Sequence, residues 1–121
     1  MKCRSIRLAL MFAVLIPMAC SPGIIRAQSG PRTIEIHAKK FAFDPSDITL
    51  KKGQPVILVL KSSDVAHGLR FRELNVDLRA RSGTPAQTQF TPEKTGDFVG
   101  HCSVFCGSGH GSMKLTLHVV D

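Results

Sequence analysis

The sequence contains no tryptophan and no tyrosine, so its seven phenylalanines must supply all aromatic packing. Cysteine is scarce too, with four in 121 residues. Cys3 and Cys20 fall within the first 27 residues, which leaves Cys102 and Cys106 as the one close pair beyond them. One pair excludes a disulfide-stapled mini-protein, and a core must come from ordinary apolar burial. The longest leading apolar run, Leu8 to Ile16, is broken by Pro17, Pro22 and Gly23. It is well short of the ~20 residues that a spanning helix needs. No internal repeat, low-complexity segment or amphipathic helical pattern is visible. No pairing of residues reads as a catalytic acid and base, so the isolated chain is not expected to turn over a substrate.

Residues 1–27 read as an export signal: Lys2, Arg4 and Arg7 precede an apolar stretch of signal length. Two endings fit. Ala27 could precede a cut before Gln28, or Met18-Ala19-Cys20 could end a lipoprotein signal that leaves Cys20 acylated. An uncleaved leader acting as an anchor is the lesser alternative. Each places the remainder outside the cytoplasm, in the periplasm. Two thiols four residues apart then need a reason to stay reduced.

Charge says less. Lys2, Arg4, Arg7 and Arg26 precede Gln28, leaving twelve basic residues against nine acidic ones. So small a surplus reads first as a solvated surface and second as a preference for an anionic partner. Nothing points to nucleic acid.

After a short linker, residues 28–32, the pattern over 33–121 is strand after strand, and one domain is expected. Thr33 to Ala38 alternates polar and apolar, as do Phe41 and Phe43. Asp44-Pro45-Ser46-Asp47 and Lys51-Lys52-Gly53-Gln54 are turns by composition. Val56 to Leu60 is continuously apolar and predicts a strand covered on both faces. Ala66 to Leu78 holds two short strands or a loop, and Arg79 to Pro85 reads as a basic loop. Gln87 to Phe90, Asp97 to Cys102 and Met113 to Val120 complete the strands, with a turn at Thr91 to Gly96. Short strands with turns every 8–12 residues predict an all-β sandwich or barrel.

The loop from Cys102 to Met113 packs two thiols, the imidazole of His110 and a thioether into twelve residues. Thiolate and thioether select copper over hard cations, and imidazole suits copper as well. Gly107, Gly109 and Gly111 let the backbone fold back on itself. His67, from another loop, is the candidate to close the site. Each residue also has a plainer reading. Cys102 and Cys106 alone would suggest a disulfide, and Met113 alone a core residue in line with Leu115, Leu117 and Val119. His37 and His118 share strand faces with polar neighbours and are expected to face solvent, while His101 should point away from Cys102. A tetrahedral Cys2His2 zinc site would leave Met113 idle. A mononuclear blue-copper site from His67, Cys106, His110 and Met113 would leave Cys102 without a role.

The pattern Cys102-Ser103-x-x-Cys106-Gly107-x-x-His110-x-x-Met113, with Asp64-Val65-Ala66-His67 upstream, resembles the binuclear copper (CuA) domain of cytochrome c oxidase subunit II. Nitrous oxide reductase carries a similar domain. The resemblance implies a cupredoxin-like Greek-key β-sandwich and a one-electron carrier with two copper ions. It implies that Cys102 and Cys106 bridge the metals and that His67 and His110 each ligate one. Met113 and the carbonyl of Val104 are then weak ligands. The family often has Glu where Val104 stands, but only the carbonyl would bind. The implied partner is a cytochrome or an oxidase-type complex. A copper-accepting protein takes its place if the same ligands serve periplasmic copper delivery or storage. Membrane attachment, by lipid or by the leader, accords with either.

Overall fold

The alternation that begins at Thr33 becomes the first of nine strands in the computed structural model, which describes Gly23 and residues 30–121. The strands are Arg32–Lys39 (β1), Ala42–Asp44 (β2), Asp47–Lys51 (β3), Val56–Ser62 (β4), His67–Phe71 (β5), Val76–Ala80 (β6), Ala86–Phe90 (β7), Gly96–His101 (β8) and Lys114–Val120 (β9). One 3-10 turn, His110–Ser112, is the only helical element among the described residues. No helix there is long and apolar enough to cross a membrane. The leader, with Cys3 and Cys20, lies outside the described residues apart from Gly23.

Two sheets form, in the orders β2-β1-β4-β7 and β3-β9-β8-β5-β6. β1 runs parallel to β4 with Ile36 opposite Leu60, and β3 runs parallel to β9 with Leu50 opposite Val119. The other pairings are antiparallel. The period of two aims one set of side chains from each sheet at the other. Ile36, Leu58 and Leu60 from the first sheet and Leu69, Leu115 and Leu117 from the second are wholly buried. With no Trp or Tyr, the aromatic part of this core is Phe43 and Phe71.

Two expectations need correction. β4 is not covered on both faces: Val56, Leu58 and Leu60 are buried, but Ile57 and Val59 are only half-buried. A sheet packed on one side leaves the other side open however apolar its strand is. The Ala66–Leu78 segment does contain two strands, β5 and β6, but β6 continues through Arg79 and Ala80. The expected basic loop therefore starts two residues late. Arg79 stays in the strand because it pairs with Gly68 while its side chain points outward.

Three strands of the second sheet meet at one end of the sandwich. β5 opens there with His67, β8 runs out there at His101, and β9 starts there after Met113.

Candidate metal centre

His67 sits on the inward face of β5 and is fully buried. Its Nε2 lies 2.6 Å from Oδ1 of Asp64. Its other ring nitrogen, Nδ1, is buried and has no hydrogen-bond partner among the described residues. A buried nitrogen left bare costs stability, so it marks a position where another ligand belongs. The carboxylate is itself well held. Burial works against the Asp64 charge, but the backbone N–H of Lys40 (2.8 Å), the His67 ring and the N–H of Val65 (2.6 Å) outweigh it. Together they bring Asp64 down to about 2. An ionised carboxylate on Nε2 requires that nitrogen to carry a proton, which leaves Nδ1 as the lone-pair donor.

The loop between β8 and β9 brings the sulfurs to the same place. The Cys102 N–H donates to Met113 O at 3.1 Å and closes the neck of the loop. Inside it, the N–H groups of His110, Ser112 and Met113 donate to the carbonyls of Gly107, Gly109 and His110. Gly107 adopts φ +138°, where a side chain would be strained, and a Cβ there would come within 2.8 Å of the Phe41 ring. Phe41 thus forms the floor on which the glycines of the loop rest. On the other flank, a Cβ on Gly68 would run into the hydroxyl of Ser103, so β5 needs glycine there for the loop to seat.

Cys102 and Cys106 are buried and unbonded, with their sulfurs 3.7 Å apart. A disulfide would hold them at about 2.05 Å. The Cys106 sulfur is 3.9 Å from the Met113 sulfur and 3.9 Å from His110 Nδ1. The Cys102 sulfur is 3.1 Å from the carbonyl of Val104. One ligand atom each from His67, Cys102 and Cys106 lies within 4.8 Å of the others. Burial first, and then the neighbouring Cys102 and the Asp64 charge, push the Cys106 thiol up to about 11. Such a thiol ionises at neutral pH only when a cation takes the place of its proton.

All six positions singled out in the sequence therefore meet at one end of the sandwich. Met113 is fully buried in the core, with its sulfur 3.9 Å from that of Cys106. His101 stays outside, exposed on the outer face of β8 opposite Arg70. His37 is exposed near Glu35. His118 does more than face solvent: it bridges Asp97 (2.7 Å) and Asp47 (3.0 Å) across three strands. Sequence reasoning gave no role to Asp64, although it stands only three residues before His67. Nor did it assign the Phe41 floor or the Ser103–Gly68 contact, since nothing local marks either.

Residues 33–120 match the family described as cytochrome c oxidase subunit II, periplasmic domain. The chain belongs to that family. It is 28% identical over 96 residues to cytochrome c oxidase subunit 2 of Thermus thermophilus, covering 78% of this chain and 71% of that one. A second subunit 2 sequence from the same species is matched over 57% of its length. The chain is 31% identical over 91 residues to nitrous-oxide reductase of Cupriavidus necator, but spans only 14% of that protein. The fold superposes on the periplasmic domain of oxidase subunit II (CoxB) of Bradyrhizobium japonicum with a TM-score of 0.70, at 21% identity, covering 77% of this chain and 86% of that one. The family and the sulfur-rich loop make this a copper-binding electron-transfer domain of cupredoxin-like fold. A periplasmic family implies a location outside the cytoplasm.

Proposed function

We propose that this domain is a one-electron carrier whose centre holds two copper ions. Cys102 and Cys106 would bridge them, His67 and His110 would each ligate one, and Met113 and the Val104 carbonyl would be weak ligands. The observation that carries this reading is the convergence of two buried, unbonded thiols with the buried ring of His67, whose Nδ1 has no hydrogen-bond partner among the described residues. The donor set fits copper: soft sulfurs with imidazole, and no hard oxygen cluster among them. Zinc would leave the thioether beside Cys106 unused. A mononuclear site would leave the Cys102 thiol buried with no metal to hold.

Bound copper supplies the exchange between its Cu(I) and Cu(II) states. The chain supplies the frame. Asp64 holds the His67 ring, Phe41 and Gly68 seat the loop, and the neck bond from Cys102 to Met113 ties the ligands to β8 and β9. A frame this well braced leaves little to rearrange when an electron arrives. His110 is half-buried beside Phe105, which makes it the ligand nearest to a partner.

Its partner is then a redox protein, a cytochrome or an oxidase complex, as for subunit II relatives. The leader is proposed as an export signal, cleaved or leaving a lipid anchor at Cys20. Copper loading after thiol reduction tests the reading. Two coppers per chain with a purple mixed-valence spectrum support it. A single copper with an intense blue band, or no uptake at all, overturns it. Rapid loss of Cu(I) to an apo-acceptor would assign delivery instead.

A further inference from the structure

Four exposed arginines flank the ligand loop, outnumbering the two carboxylates among them, Glu73 and Asp77. Arg70 on β5, Arg79 on β6, and Arg72 and Arg81 just beyond those strands are all exposed. Among the described residues none of them has a carboxylate oxygen within 4.0 Å. Elsewhere, among the described residues, Lys61 pairs with Glu35 at 2.7 Å and Lys52 with Asp121 at 3.1 Å, while the other basic residues, Lys39, Lys40 and Lys51 among them, have no such pair.

The pleat explains the clustering. His67, Leu69 and Phe71 point inward, so Gly68 and Arg70 face outward, and β6 turns Asp77 and Arg79 outward beside them. Ser103 lies over Gly68 on that same outer face, with its hydroxyl 3.3 Å from Asp77. A cleft on one side of the loop is lined by Arg70, Arg72, Glu73, His101 and Ser103. A cleft on the other side is lined by Ala66, Arg79, Arg81 and Val104. Beside Val104 an apolar side chain stands in the open: Phe105 is 79% exposed and its ring packs at 5.6 Å from His110.

Resting on the reading of this loop as the copper centre, we propose that the arginine-flanked face around Val104 and Phe105 docks the acidic face of a partner redox protein. Arg70, Arg72, Arg79 and Arg81 would meet its carboxylates, and Phe105 would meet an apolar spot over its redox group. Rim charges steer encounter and fix orientation, while a small apolar centre sets the two redox groups close without holding the complex for long. A lipid surface would also attract arginines, but pressing the ligand loop against lipid would shut off the route through His110.

Two measurements test the face, and one of them needs no copper. On reduced, metal-free, 15N-labelled protein, hexacyanochromate(III) is the anionic probe. Line broadening centred on Arg79, Arg81 and Phe105 is expected; broadening centred on Lys39 and Lys40, or on Lys51 and Lys52, overturns the proposal. On copper-loaded protein, electron transfer from an acidic flavodoxin should slow as salt rises, while transfer from a basic cytochrome c of similar size should speed up. R79E/R81E should slow the flavodoxin reaction by about tenfold at low salt with the copper absorption unchanged. The milder R79Q/R81Q should fall between. A faster cytochrome reaction at low salt, or an unaltered flavodoxin rate in R79E/R81E, overturns the proposal. So does co-sedimentation with phosphatidylglycerol vesicles that R79E/R81E abolishes. Failure of the copper reading shows separately, as absence of the visible absorption.

Discussion

Asp64 and His67 form a 2.6 Å pair in which an exposed carboxylate fixes the proton of a fully buried ring. The pairing occupies Nε2 of His67 and leaves Nδ1 as the lone-pair donor. It also places a negative charge one ring away from the metal position, where it favours the oxidised, more positive centre. Asp64→Asn keeps the shape and removes the charge. Expected are a raised reduction potential and a loss of copper affinity of about 10–100-fold, of the order seen when such supporting partners are removed. Redox titration and competition with a copper chelator measure both. An unchanged potential would mean that the pair only positions the ring.

Cys102→Ser and Cys106→Ser should each abolish the binuclear spectrum, because each sulfur would bridge both metals. Met113→Leu should keep the copper and shift the potential, since a thioether 3.9 Å from the Cys106 sulfur would serve only as a weak ligand. Absorption and metal analysis of the three variants separate these roles. An unchanged spectrum with full copper in Cys102→Ser would refute the bridging assignment, and complete metal loss in Met113→Leu would refute the weak one.

Gly68→Ala should cost about 1–3 kcal/mol, the usual penalty for overpacking, because the new methyl meets the Ser103 hydroxyl. Thermal unfolding of the reduced apo-protein reads the loss. Ser103→Gly in the same chain should restore part of it, and no recovery would show that the strain lies elsewhere.

The His118 bridge sets a pH dependence. Hydrogen bonds that the His118 ring donates to Asp47 and then Asp97 raise it above its usual 6.5, against a small opposing effect of burial. A group raised on folding adds stability that is full below its unfolded value and fades as pH rises through its folded value. Resistance to urea should therefore decline from about pH 6.5 upward, and His118→Gln should flatten that slope. A slope that survives the substitution would place its origin in another group.

These features differ in how far the sequence reveals them. Alternation exposes β1 and β9 because a sheet covered on one face leaves a period of two in the chain. The unbroken apolar run of β4 misleads instead, because Ile57 and Val59 look like core yet face outward. The ligand loop is legible because its chemistry is crowded into twelve residues of distinctive type. The supports are not, because they come from afar. Phe41 reaches the loop from the β1–β2 turn, and Asp47 meets His118 across 71 positions of sequence. Register, set by the whole sandwich, decides such meetings, and composition around either residue carries no trace of it.

The most direct measurement is the electron paramagnetic resonance spectrum of the protein after copper loading and one-electron oxidation, with bound copper counted on the same sample. If the sulfurs of residues 102 and 106 share their metals as proposed, the unpaired spin couples equally to two copper nuclei, at two coppers per chain. Coupling to a single nucleus, at one copper per chain, would contradict the account.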